Sequence, residues 1–99
     1  MSTKPSQIFA ERSFEVTEGQ QKKPVTLRFG IPMTSGNGDF FCDVQLLGLG
    51  NDGDRADKIY GLDSLQALQL AIRFAATYLN DLKEKGLKIT FEGEEDLGL

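Results

Sequence analysis

Histidine is missing from all 99 residues, and cysteine occurs once, as Cys42. Without histidine the chain lacks the usual zinc ligand sets, Ser-His-Asp chemistry and the commonest general base. A lone cysteine forms no internal disulfide and agrees with a reducing compartment. No eighteen apolar residues follow one another, and the opening Met1-Ser2-Thr3-Lys4-Pro5-Ser6-Gln7 leads into no apolar stretch of the signal-sequence kind. Neither secretion nor membrane insertion is expected, and the cytoplasm is the expected location. Basic side chains are outnumbered, 11 against 15 acidic, for a net charge of -4. The average field therefore repels phosphate, and nucleic acid is not an expected partner.

With 39% hydrophobic residues, 26% charged residues and seven Phe, the chain is too apolar to stay disordered. Its length suits one domain, residues 1–99, with no room for a second core. Charge is uneven: Lys4, Arg12, Lys22, Lys23 and Arg28 sit early, while Glu92, Glu94, Glu95 and Asp96 crowd the end. A solvated acidic tail accounts for this, and residues 1–7 and 93–99 are expected to be flexible. The alternative is a tail that neutralises a basic protein partner such as a toxin.

Ile8, Ala10, Phe14 and Val16 share one parity against Glu11, Ser13 and Glu15, with Phe9 and Arg12 as exceptions. That is the period-two pattern of a half-buried strand. Thr17 to Pro24 is polar, with a Gly and a Pro, and predicts a loose hairpin loop. Val25, Leu27, Phe29 and Ile31 form the cleanest alternation, and Pro32 with the following Asn37-Gly38 pair predicts a second reversal. A third strand runs from Phe40 to Leu47, with Phe40, Cys42, Val44 and Leu46 inward and Phe41 and Leu47 outward. After a turn at Gly48 to Asp54, a short strand is predicted at Asp57 to Tyr60. Four short strands in sequence describe an antiparallel meander.

A long C-terminal helix is predicted from Ser64 to Lys85. Asp63 or Ser64 supplies the cap, Gln66 stands three residues after Asp63, and Gly86 offers the left-handed stop. Leu65, Leu68, Ile72, Ala75, Leu79 and Leu82 recur at spacings of three and four and read as the buried seam. Leu87, Ile89 and Phe91 then alternate as a short final strand. The predicted fold class is α+β: about four antiparallel strands packed by one long helix. Polar Gln66, Gln69, Arg73, Thr77, Asn80 and Glu84 fill an arc of about 80°, while apolar side chains spread wider than one sheet covers. Leu70 and Phe74 lie on the flank away from the Leu seam. They need cover either from the final strand, Leu97 or Leu99, or from a second subunit.

Gly48, Gly50 and Gly53 spell G-x-G-x-x-G after a strand. The dinucleotide site of that spelling needs a helix N-terminus immediately after it, and Asp52, Asp54 and Asp57 would repel a pyrophosphate, so a hairpin turn is the reading. Asn51, Asp52, Asp54 and Asp57 offer oxygen ligands of the kind calcium takes, but without the EF-hand spacing. The parity of Cys42 points it into the core, where it acts as a small hydrophobe.

Tyr60-Gly61-Leu62-Asp63-Ser64-Leu65-Gln66-Ala67-Leu68 is the densest local pattern. Here the chain resembles a family of small uncharacterised bacterial proteins in which a Tyr-Gly-x-Asp-Ser-x-Gln-Ala-Leu-x-Leu-Ala segment opens a C-terminal helix behind several short strands. The match is close from Tyr60 to Ala71 and extends to the rest in layout. It implies no known activity and no catalytic residues.

The expected function is a non-enzymatic interaction or regulatory protein, a homodimer or the binder of a protein partner, with Phe41, Leu47, Leu70 and Phe74 as candidate interface. No catalytic residue, cofactor or metal is assigned. The alternative is a small-molecule binding domain with a pocket between sheet and helix lined by Phe29, Phe40, Tyr60 and Tyr78. Carboxylate or Cys42 chemistry is the third reading.

Overall fold

A computed structural model describes residues 7–50 and 53–99. Six strands and one helix follow in the order β1 (Ile8–Glu18), β2 (Gln21–Gly30), β3 (Met33–Thr34), β4 (Phe40–Leu47), β5 (Arg55–Gly61), α1 (Ser64–Glu84) and β6 (Lys88–Thr90). The fold is α+β, and every strand pairing is antiparallel. The meander appears as β1-β2-β4-β5, and β6 extends the sheet beyond β1 by pairing Lys88 to Thr90 with Glu15 to Thr17.

The strand count exceeds the four of the predicted meander because the expected short final strand joins the sheet as β6 and because the strand beside β4 is split into β2 and β3. Thr26 to Phe29 pair with Val44 to Leu47, and Met33 and Thr34 pair with Phe40 and Phe41 one register step away. Pro32 between them has no amide proton to give the ladder, so the strand breaks and resumes, and the predicted reversal follows at Ser35 to Asp39, where the Ser35 amide donates to Asp39 O at 2.7 Å and Gly38 takes φ 95°. The β1-β2 connection is also tighter than the loose loop predicted. Glu18 pairs with Gln21, and only Gly19 and Gln20 turn the chain. Its polar residues extend the hairpin beyond the core, where Lys23 meets Glu18 at 2.9 Å and Lys22 meets Glu15 at 3.9 Å.

Parity predicted the inner face of the sheet well, with one break. Phe14, Val16, Val25, Leu27, Cys42, Val44 and Leu46 are buried as expected. Between Ile8 and Ala10 the register slips: Ile8 pairs with Gly30 and Ala10 with Phe29. The extra residue is Phe9, a β-bulge. It turns Ile8 to the helix-free face instead of inward and leaves Phe9 beside Ala10 on the helix side.

The helix caps match their residues. The Asp63 carboxylate accepts from the Gln66 amide at 2.7 Å, and the Gln66 side chain accepts from the Leu62 amide at 2.6 Å. At the other end the Gly86 amide donates to Lys83 O and the Leu87 amide to Leu82 O, with Gly86 at φ 105°. This is the Schellman arrangement that glycine permits. Between the caps the buried line is Ala67, Ala71, Ala75 and Leu79; Ala75 and Leu79 belong to the predicted seam, whereas Leu65 is exposed and Leu68, Ile72 and Leu82 are half-buried. Small residues at four-residue spacing let the helix sit low on the sheet, and the larger side chains spread to both flanks. Leu68 and Ile72 are half-buried on one flank, and Phe74 and Tyr78 on the other. The closest approach is at Gly61, where a Cβ would lie 2.5 Å from Ala67 N and 2.9 Å from Ala67 Cα.

Gly61→Ala therefore pushes helix backbone off the sheet and should cost about 1–3 kcal/mol in denaturant unfolding; an unchanged midpoint would contradict the close approach. Glu92 (φ 51°) and Gly93 (φ 81°) form a turn closed by Phe91 and Glu94, the two exchanging backbone hydrogen bonds of 2.8 and 2.9 Å. Glutamate is a poor residue at positive φ. Glu92→Asn should stabilise by about 0.5–1 kcal/mol, read from the same unfolding curves.

Candidate functional site

One flank of the helix is closed by the chain's own side chains. The Arg55 guanidinium lies 5.2 Å from the Phe74 ring centre and 4.8 Å from that of Tyr78. It is held by two hydrogen bonds to Asp57, at 2.7 and 3.2 Å, which also favour its protonated form. The Tyr78 hydroxyl donates to Gly53 O at 2.9 Å and ties the β4-β5 connection to the helix. The cavity left beneath these rings is about 10 Å³, too small to matter for a ligand. Phe74, a predicted interface residue, thus packs on the core under Arg55, and Leu70 stays half-buried at the outer edge of this flank.

The opposite flank is closed only along its C-terminal half. There the tail folds back: Lys83 donates to Glu95 O at 2.6 Å, Leu97 is buried, and Arg12 donates to Leu97 O at 2.9 Å and Gly98 O at 3.2 Å. Arg12 also lies 4.3 Å from the centre of the Phe91 ring, which meets Phe14 edge-on. Inward placement of Arg12, an exception to the alternation, is what anchors this tail.

Along the N-terminal half of that flank a groove of about 250 Å³ stays open. Phe9 and Ala10 form one wall, Leu68 and Ile72 the other, Leu27 and Phe29 contribute from the sheet, and Leu99 is at the tail end. Phe9 is 57% exposed, Leu65 on the same helix flank 61%, and Leu99 42%. Glu11 and Arg12 are the charged neighbours; Arg12 is committed to the tail, and Glu11 accepts from Arg28 at 3.0 Å. Beside the groove runs an open strand edge. β6 covers β1 only at Glu15 to Thr17, so among the described residues Ile8 to Phe14 have no strand on that side.

The other predicted residues do not converge. Phe41 and Leu47 lie on the helix-free face, where the Phe41 ring meets Tyr60 at a tilt of 50° with centres 6.0 Å apart and is overlaid by the Lys58 ammonium at 4.2 Å. Lys58 also donates to Asp43 at 3.2 Å. Between them Gln45 is 3% exposed, and its Oε1 lacks a hydrogen-bond partner among the described residues. Of the candidate pocket, Phe29 reaches the groove, Phe40 packs on the core, Tyr78 sits under Arg55, and Tyr60 faces the wrong way. Pairing of Tyr60 with Phe41 fixes it on the helix-free face. Phe9, Leu65 and Leu99 were not singled out from the sequence as surface residues. The one signal for them was the broken alternation at Phe9.

The Gly48 to Gly53 loop explains its own spelling. Asp54 accepts from the Leu49 amide at 2.6 Å and the Gly50 amide at 3.1 Å. Amides of the kind a nucleotide loop turns on phosphate are turned here on a carboxylate. Asn51 and Asp52 of the weighed cation site lie outside the described residues, and Asp57 serves Arg55. Cys42 is fully buried, its thiol donating to Gly30 O at 3.4 Å.

A family model described as a domain of unknown function (DUF6968) matches residues 10–99. No curated protein and no solved structure matches the chain significantly.

Burial, and then the nearby Asp43 charge, push the Cys42 thiol from 9.0 up to about 11. The folded state favours the neutral thiol, so this contribution is whole below the unfolded pKa and is lost as pH rises from about 9 to about 11. Stability should fall by roughly 2–3 kcal/mol across that window, relative to a Cys42→Ala chain measured in parallel. Thiol reagents should label native protein far more slowly than unfolded protein; fast native labelling would contradict the burial.

Proposed function

The chain belongs to the DUF6968 family of domains of unknown function, and from that premise we propose that it is a non-enzymatic interaction protein that works as a homodimer through the groove between β1 and α1. The observation that carries this is the one-sided cover of the helix. One flank is sealed by Arg55, and the other leaves Phe9, Leu65 and Leu99 in water beside half-buried Leu68 and Ile72. Contiguous apolar surface of this kind is what association removes from solvent.

Two further features support docking over the alternatives. Both charged groups at the groove are already engaged, which favours binding over acid-base chemistry. The groove is open and, at about 250 Å³, smaller than typical small-molecule sites of roughly 300–1,000 Å³; Phe29, Phe40, Tyr60 and Tyr78 do not meet around it. We place the protein in a bacterial cytoplasm, a location supported by the buried, unpaired Cys42 and the kinship of the Tyr60 to Ala71 segment. No helix is long and apolar enough to cross a membrane among the described residues.

Light scattering should give the wild type twice the monomer mass at high micromolar concentration. Phe9→Glu or Leu65→Glu should halve that mass while leaving the melting temperature of dilute, monomeric protein nearly unchanged, since both side chains are exposed in the single chain. Phe74→Glu should instead lower the melting temperature, because it removes a ring packed on the core. A wild type that stays monomeric would overturn the reading.

A further inference from the structure

The two flanks of the helix differ in the kind of cover they have. Toward β5, Arg55 of a paired strand overlays Phe74 and Tyr78 of the helix, and this cover leaves only if the sheet comes apart. Toward β1 the cover is residues 95–99, which pair with no strand among the described residues. Three hydrogen bonds tie this segment to the rest of the described chain: Arg12 to Leu97 O at 2.9 Å, Arg12 to Gly98 O at 3.2 Å, and Lys83 to Glu95 O at 2.6 Å. Of its side chains only Leu97 is buried. Segments held by so few contacts are the ones that open locally, ahead of the core.

We propose that residues 95–99 form a strap, latched by Arg12, that opens without unfolding of the domain and by opening lengthens the groove between β1 and α1. The effect on association rests on the self-association reading above; the strap itself does not.

The geometry singles out Arg12 as the latch. Its guanidinium lies 4.3 Å from the centre of the Phe91 ring, at the root of the segment, and donates to two carbonyls near the tip. One cation thus grips both ends. The tip is shaped to meet it: Asp96 accepts from the Gly98 amide at 2.9 Å, and Gly98 takes φ 73°, a conformation that glycine permits. A Cβ on Gly98 would lie 2.7 Å from Arg12 Nη1, so the atom that a side chain would displace is the latch itself. Just before the segment, the Glu92-Gly93 turn closed by Phe91 and Glu94 supplies a fixed pivot.

There is space on both sides of the strap. A cleft of about 240 Å³ separates it from the helix at Ala76, Asn80 and Lys83. The groove of about 250 Å³ lies on its β1 side, and Leu99 borders both. Interiors are close-packed, whereas this segment gives up little contact apart from Leu97 when it leaves. Once it swings away, the two spaces join into one trough running from Leu68 past Ala76, with the site now filled by Leu97 added to it. The closed strap therefore competes with a partner for this flank, and a partner that prefers the longer trough holds the strap open.

Thiol labelling tests the strap, with Cys42 as an internal standard deep in the core. In dilute native protein Leu97→Cys should label roughly tenfold faster than Cys42 or more, each rate taken relative to the same thiol in unfolded chain. With Leu97 kept, Arg12→Gln should move the Leu97 methyl resonances toward their unfolded positions and leave those of Leu27 and Leu79 in place. Equal protection of the two thiols, a Leu97 that stays put, or Leu27 and Leu79 moving along with it would each overturn the strap. The methyl measurement keeps Leu97, so a Leu97→Cys chain that misfolds leaves the decision to it. In light scattering Arg12→Gln should lower the concentration of half-dimerisation by about threefold or more; an unchanged value overturns the effect on association. A wild type that is monomeric at every concentration overturns self-association, and with it that effect, while fast labelling of Leu97→Cys would still uphold the strap.

Discussion

The distance between helix and sheet is set where Gly61 meets Ala67, and most of the molecule's shape follows from that contact. Backbone lies against backbone there, closer than any Cβ would allow. The rest of the buried line continues the low seat with Ala71 and Ala75 before Leu79. A helix resting on alanines cannot keep its large side chains beneath it, so they splay to either side, and each flank needs a cover of its own. Five positions of the segment from Tyr60 to Ala71 therefore have a structural purpose: Gly61 for closeness, Asp63 and Gln66 for the cap, Ala67 and Ala71 for the line of contact.

The two flanks are covered unequally. Toward β5, Arg55 overlays Phe74 and Tyr78, and Tyr78 fastens the preceding loop. Toward β1, the C-terminal tail returns under Arg12 and closes the half of the flank near Lys83, but the half near Leu65 is left with Leu99 at its margin. The strand beside that gap is also the one whose edge β6 only partly fills. Among the described residues, apolar surface and a strand edge without a strand neighbour thus coincide in one place. Polar groups elsewhere are spent on the fold: Asp54 on loop amides, Asp57 on Arg55, Glu11 on Arg28.

Much of the architecture was legible in the residues, because β2 and β4 alternate cleanly and the helix carries recognisable caps at both ends. The errors have specific causes. Periodicity weighs large side chains, so it finds Ala75 and Leu79 but starts the seam at Leu65 and Leu68, where the contact line runs through Ala67 and Ala71. That rotation moved the surplus apolar surface onto Leu70 and Phe74, whereas the structure leaves it on Leu65, Leu68 and Ile72. Polar Lys22 and Lys23 read as loop because their strand outruns the core, and Pro32 interrupts the strand a few residues before the reversal at Ser35 to Asp39. The bulge at Phe9 left one trace, a broken alternation. Alternation alone does not say which face the extra residue joins.

The central claim is that the Leu65 flank, and not the Leu70 flank, is the surface through which this protein associates. Methyl resonances of leucine and isoleucine followed through a dilution series report on it directly, because each flank carries its own methyl groups. Leu65, Leu68, Ile72 and Leu99 should shift with concentration while Leu47 and Leu70 stay fixed. Movement of Leu47 and Leu70 with a still Leu65 flank would contradict the account.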